Sequence, residues 1–165
     1  MPLLWSALYV LALGIASHVI GEAIPRCAFF HDRFPYRAYR WEREGKIYER
    51  IGIQKWKDHA PDMSRVMRDM VPKRVGKAPH AEDVWVLVQE TCRAEIVHLG
   101  LAMLSLGIVF FWMNWIGALL GLLVALCNVP FILIQRYNRP RLVSLAERLA
   151  VREERRRHAS THSVG

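Results

Sequence analysis

Between Ile96 and Gln135 the chain runs for about forty residues without an Asp, Glu, Lys or Arg. This stretch limits the possible folds more than any other feature. One helical crossing of a bilayer takes roughly 20 apolar residues, so the run is too long for one span and about right for two. Within lipid, every backbone N–H and C=O must find its partner inside the protein, which leaves helices as the form of such spans. The break is expected at Asn114, between Trp112 and Trp115, because tryptophans favour the membrane interface. The limbs are then about 96–113 and 115–135. Gly117 and Gly121 carry GxxxG spacing, which lets helix backbones approach closely in a packed hairpin.

Residues 1–20 are also uncharged. As a helix, Leu3 to Ile20 would rise roughly 27 Å, near the bilayer core thickness of roughly 30 Å. The competing reading, a cleaved signal peptide, wants a basic start, and no Lys or Arg precedes the apolar run. An uncleaved anchor is therefore expected. Residues 21–95 carry 15 basic and 12 acidic side chains, and residues 136–165 carry 8 and 3. Both segments are net positive, and three spans place both on one side. The positive-inside rule makes that side the cytoplasm, with the N-terminus outside.

The expected architecture is an all-α integral membrane protein of the cell (inner) membrane. It has a transmembrane anchor at 1–22, a cytoplasmic or interfacial helical region at 23–95 and a transmembrane hairpin at 96–135. A basic juxtamembrane helix at 136–157 and a disordered tail at 158–165 follow. The lipid bilayer accounts for the positive charge, and no nucleic-acid partner is expected. Cys27, Cys92 and Cys127 share no CxxC or zinc-ligand spacing, so neither a disulfide nor a metal site is expected.

The segment between the first two spans has mixed character. Tyr36, Tyr39, Trp41 and Tyr48 alternate with Arg37, Arg40, Arg43 and Arg50. Such a stretch suits a helix in the headgroup layer, and equally an amphipathic helix packed on its neighbours. Lys55-Trp56-Lys57 suits the interface too, with the indole among lipid carbonyls and the ammonium groups on phosphates; a solvated charged turn is the alternative. Met63, Val66, Met67 and Met70 fall on one face of a short helix begun by Pro61 and Asp62. Val71 to Pro79 reads as a loop, and a helix restarts near Ala81.

Where that helix enters the membrane it reads Glu90-Thr91-Cys92-Arg93-Ala94-Glu95-Ile96-Val97-His98. At about 100° per residue, Glu90, Glu95 and His98 share one broad arc with Arg93 beside it. Glu95 and His98 are i, i+3 neighbours, within hydrogen-bonding reach. The functional reading is a catalytic base, His98, oriented by Glu95 or Glu90. The structural reading is a helix end whose polar residues mark the water boundary.

The last span holds Asn128 and Pro130 and ends in Gln135-Arg136-Tyr137-Asn138-Arg139-Pro140-Arg141. Guanidinium forks match phosphate or carboxylate oxygens, so Arg136, Arg139 and Arg141 are candidate anion ligands. A positive-inside stop signal explains the charge well, and Gln135, Tyr137 and Asn138 less well. Asn138 and Pro140 suit the cap and first turn of a new helix over about 140–157. His18 and Glu22 lie at the cytoplasmic end of the first span, at the depth expected for His98 and Arg136.

Two of these stretches resemble the glycosyl-4,4'-diaponeurosporenoate acyltransferase family. Thr91 to His98 is similar to its T-x-R-A-E-hydrophobic-hydrophobic-H segment, and Asn128-Val129-Pro130 through Leu142 to its N-V-P…Q-R-Y-N-R-P-R-L segment. Lys55-Trp56-Lys57 and the Glu42…Gly45-Lys46 spacing also look like it. The resemblance implies a membrane-bound acyltransferase that esterifies a sugar hydroxyl of a glycosylated carotenoid or related glycolipid, a late step toward staphyloxanthin. The acyl thioester, on coenzyme A or acyl carrier protein, would be a co-substrate, with no bound cofactor. In this reading Arg93, Arg136, Arg139 and Arg141 hold donor phosphates or the oxyanion. Tyr137 and Asn138 position the sugar, while Asn128, Lys55, Trp56 and Lys57 add substrate contacts. No G-x-S-x-G elbow or HxxxxD motif occurs, which favours direct transfer over a serine acyl-enzyme. The competing readings are a non-enzymatic membrane assembly subunit and another lipid transferase, such as a methyltransferase.

Overall fold

The computed structural model describes residues 1–60 and 79–162. The expected helical face at Met63, Val66, Met67 and Met70 lies outside the described residues. The helices are α1 (Pro2–Ala23), the single turn α2 (Ile53–Trp56), α3 (Ala81–Ser105), α4 (Val109–Trp112) and α5 (Trp115–His162). 3₁₀ turns occupy Arg26–Ala28, Arg40–Glu42, Lys46–Ile51, Lys57–His59 and Leu106–Ile108, and no strand occurs among the described residues. Three stretches are long and apolar enough to cross a membrane: Pro2–Ala23, Ala81–Trp112 and Trp115–Ser160. The all-α architecture with three membrane helices is therefore the one observed. The chain divides into two compact units, Met1–Phe29 with Cys92–Gln135, and Phe30–Thr91 with Arg136–Gly165.

The first unit holds α1, the apolar part of α3, α4 and the apolar part of α5. Its outer surface is greasy: Leu11, Ile15, Val19, Phe110, Leu119 and Leu123 are all exposed. A surface of that kind belongs in lipid. Small residues set the helix contacts. A Cβ on Gly21 would sit 3.1 Å from the Val97 side chain, so α1 lies close against α3. Further along, the Tyr9 hydroxyl donates to the Leu104 carbonyl at 2.8 Å, and Trp112 Nε1 donates to Ser6 Oγ at 2.9 Å. The chain reverses after α4 through Met113, at φ 51°, and Asn114. Asn114 then caps α5, its Oδ1 accepting the N–H groups of Ile116 at 3.0 Å and Gly117 at 3.3 Å. Gly117 and Gly121 face the opposite limb: added Cβ atoms would meet Val109 Cα at 2.9 Å and the Ser105 carbonyl at 2.9 Å.

The second unit has an apolar core that includes Tyr48, Ile53, Val84, Leu87, Val88, Tyr137 and Ala146. Ala81, Val84, Leu87, Val88 and Thr91 form the buried stripe of its α3 segment, at helical spacing. The start of α3 is fixed from outside the helix. Glu153 Oε1 accepts the Ala81 N–H at 3.1 Å, where a carboxylate meets the positive end of the helix dipole.

Two expectations are corrected here. Residues 36–51 form no continuous helix; they fold as turns and 3₁₀ segments, because Arg43, Glu44 and Gly45 all take positive φ and interrupt any helical run. The second concerns the end of the chain. No new helix starts at Asn138; α5 continues unbroken through Pro130 and Pro140 to His162, so part of the tail read as disordered is helical.

Because the Cβ of Gly121→Ala would meet backbone, that substitution is expected to cost about 1–3 kcal/mol of stability. Gly14→Ala, with nothing within 4 Å of the new Cβ, should leave it unchanged or higher. Thermal unfolding in detergent, followed by circular dichroism, checks both.

Candidate functional site

In the first unit the sequence-predicted base has a defined setting. His98 Nδ1 lies 3.0 Å from Asn128 Oδ1. Asn128 Nδ2 donates to the Val124 carbonyl at 3.0 Å, which turns its oxygen toward the imidazole. An amide oxygen only accepts, so this contact puts a proton on Nδ1. Phe131 stacks on the ring at 4.6 Å between centroids and 11° between planes. Fixed tautomer and fixed plane are what a general base needs. Asn128, expected as a substrate contact, is also a hydrogen-bond partner of the histidine. Glu95 is buried on the same helix, and Glu90 falls in the second unit.

Arg93 is the buried cation of the first unit. Its Nη1 donates to Glu22 Oε1 at 3.1 Å and its Nη2 to the Ile24 carbonyl at 3.2 Å, at the end of α1. The guanidinium also lies over the Phe29 ring at 5.9 Å. Glu22, noted in the sequence only for its spacing from His18, is therefore the partner of a residue on another helix.

In the second unit the arginines that follow the last apolar stretch grip the segment 30–60. Arg136 Nη1 donates to Glu42 Oε1 at 2.7 Å, and its Nη2 to the Pro35 carbonyl at 2.8 Å. Glu42 is 2% exposed and also accepts from the Tyr48 hydroxyl and, at 2.7 Å, from the Tyr39 N–H. Arg139 is 3% exposed; its Nε and Nη2 donate to Thr91 Oγ1 and O at 2.9 and 3.0 Å, and its Nη1 to the Tyr36 carbonyl at 2.7 Å. The Arg141 guanidinium carbon lies over the Tyr137 ring, 3.6 Å from its centroid, and the side chain bonds Glu49 and the Tyr137 carbonyl. Gly45 permits this, since a Cβ there would press on Arg141 Nη1 at 3.0 Å. Tyr137 itself is buried, and Asn138 is half-buried.

Lys55 is exposed. Trp56 Nε1 donates to the Ile51 carbonyl at 3.2 Å, and Lys57 pairs with Asp58 at 3.0 Å. Beside the arginines a cavity of about 350 Å³ opens, bordered among others by His31, Tyr36, Glu44, Arg136, Arg139 and Glu147. Sequence reasoning did not single out His31, Glu44 or Glu147. Glu42 was visible only through its spacing to Gly45-Lys46. Among the described residues no group of three His, Cys, Asp or Glu side chains could hold a metal.

Residues 32–148 match the model of the family described as glycosyl-4,4'-diaponeurosporenoate acyltransferase. Proteins of that name from Staphylococcus aureus strains bovine RF122 / ET3-1 and MRSA252 are each 29% identical over 148 residues, covering 88% of this chain and 87% of theirs. The protein of that name from strain N315 is 28% identical over the same length. No solved structure matches.

The Glu42–Arg136 pair yields a stability prediction. Removing one partner of a buried ion pair costs about 3–5 kcal/mol, so Arg136→Ala should loosen residues 30–60. Limited proteolysis in micelles reads this as faster cleavage within that segment. Replacing both partners, as Glu42→Gln with Arg136→Met, should restore part of the protection.

Proposed function

This chain belongs to the glycosyl-4,4'-diaponeurosporenoate acyltransferase family and is an acyltransferase, and we propose that it esterifies a sugar hydroxyl of a glycosylated carotenoid or related glycolipid with a fatty acyl group. The acyl donor in this reading is a thioester of coenzyme A or acyl carrier protein. Family membership sets aside the assembly-subunit and methyltransferase readings. The net charge of +8, concentrated outside the apolar helices, supports the cell (inner) membrane, with the N-terminus outside and the C-terminus in the cytoplasm, where such thioesters are made.

The observation that carries the mechanism is the His98–Asn128 contact. Nε2 of His98 takes the proton of the sugar hydroxyl as its oxygen attacks the thioester carbonyl. The C–O bond forms, and negative charge moves to the carbonyl oxygen. We assign stabilisation of that oxyanion to Arg93, the buried guanidinium of the same unit. The adduct then collapses, the C–S bond breaks, and the thiolate leaves with the proton that His98 held. Arg136, Arg139 and Arg141 serve in this scheme to hold segment 30–60 in shape.

The test is the mass of membrane lipids from a host that makes a glycosylated carotenoid. With the protein present, the glycoside should gain one fatty acyl group with loss of one water. His98→Ala should reduce that product by about 10²–10⁴-fold, the usual contribution of a positioned base. Asn128→Ala should act in the same direction but less strongly, through loss of the fixed tautomer. An unchanged glycoside mass, with the wild-type protein present in the membrane, overturns the proposal.

A further inference from the structure

Phe30, Phe34 and Trp41 fall within twelve positions of the second unit and are 46%, 77% and 58% exposed. Three guanidinium groups lie among them in the sequence. Arg33, Arg37 and Arg40 are exposed, and none of them forms an ion pair among the described residues. From residue 26 to residue 43 Asp32 is the one exposed carboxylate, since Glu42 is buried against Arg136.

Contacts join these side chains into one surface. The Arg33 N–H donates to the Phe30 carbonyl at 3.2 Å, and the Arg37 N–H to the Arg33 carbonyl at 2.9 Å. The Arg33 guanidinium lies over the Phe30 ring at 4.5 Å, and that of Arg37 over the Tyr39 ring at 5.5 Å. Tyr39 in turn stacks on Trp41, with 6.3 Å between centroids. Water leaves the rings without the gain of burial and the guanidinium groups without counter-charge. A small anion would meet the charges alone, and an uncharged apolar partner the rings alone. The headgroup layer of a bilayer meets both: aromatic rings settle at the acyl boundary while basic side chains extend to phosphates.

Chain connectivity keeps the surface near that layer. In the first unit the Arg93–Glu22 pair marks where charge begins beyond the apolar stretches, and the Arg93 guanidinium lies over the Phe29 ring at 5.9 Å. Phe29 is thus held at the level of the first charges. Phe30 is bonded to it, and Phe34 follows within at most about 18 Å of extended chain.

We infer that the turn from Phe30 to Arg37 docks on the anionic phospholipid surface of the bilayer that the first unit spans. Phe30 and Phe34 enter the boundary between headgroups and acyl chains, and Arg33 and Arg37 meet lipid phosphates. The inference is independent of the acyl-transfer reading.

A nitroxide at position 34 of the full chain tests it. Phe34→Cys is made with Cys27→Ser and Cys127→Ser, which leaves only the buried Cys92. Because Phe34 is mostly exposed, the substitution removes little packing. In nanodiscs of mixed phosphatidylglycerol and phosphatidylcholine the label should collide with oxygen more than with a water-soluble nickel complex, as a position at the acyl boundary does. Adding Arg33→Gln should lower the ratio of embedded to aqueous label about fivefold, the contribution of one arginine near an anionic surface. Nanodiscs of phosphatidylcholine alone should lower it further. A label that meets the nickel complex as freely as in water, in the phosphatidylglycerol nanodiscs, overturns the inference. So does a label closed to both reagents, or spin–spin broadening from a second copy, because protein then covers the surface. An embedded label indifferent to Arg33→Gln or to lipid charge overturns the anionic partner.

Discussion

Glu42 is almost wholly removed from solvent, and it accepts from Arg136, Tyr48 and the N–H of Tyr39. A carboxylate pays heavily for leaving water unless each of its lone pairs is met. The second unit can be seen as the set of contacts that meets this demand. Arg136 reaches both Glu42 and the Pro35 carbonyl, so one side chain ties two points of the 30–60 segment to α5. Arg139 repeats the device with Tyr36 and Thr91, and Arg141 with Glu49. The guanidinium fork suits this work because several rigid donors act at once. Without these ties, a loop of turns and 3₁₀ segments has few backbone bonds to hold it.

Lipid imposes a related rule on the first unit. Its helices bury little of their surface inside the protein, so apolar burial cannot order them as it would in water. Polar side chains within the apolar stretches take over part of that role. Ser6 meets Trp112, Ser105 reaches the Gly121 carbonyl, Arg93 meets Glu22, and His98 meets Asn128. The last two pairs join residues with chemistry, so the contacts that register the helices also orient the proposed base.

How much of this the sequence showed follows from the range of each interaction. The spans and the reversal at Asn114 were legible because bilayer thickness and tryptophan placement act locally along the chain. His98 was legible as an ionisable residue at the edge of an apolar run. The sequence pointed to partners at helical spacing, Glu95 or Glu90, and a contact such as that of Asn128, which reaches the ring from another helix, has no such local signal. Residues 36–51 were misread as helix for the same reason: the partner that makes Glu42 worth burying lies 94 positions away. The continuation of α5 through Pro140 was hidden by a local stop signal that tertiary contacts override. The cavity was invisible altogether, since His31, Glu44 and Glu147 form no motif along the chain.

The scheme has no covalent intermediate, because the base acts on the acceptor hydroxyl itself. A single-turnover experiment tests that most directly, with purified protein in nanodiscs, a radiolabelled acyl thioester and an alkyl glucoside. The account predicts that label passes from thioester to glucoside ester only when both substrates are present, and that none is retained on the protein. Label that becomes bound to the protein in the absence of glucoside, or that never reaches the sugar, would contradict it.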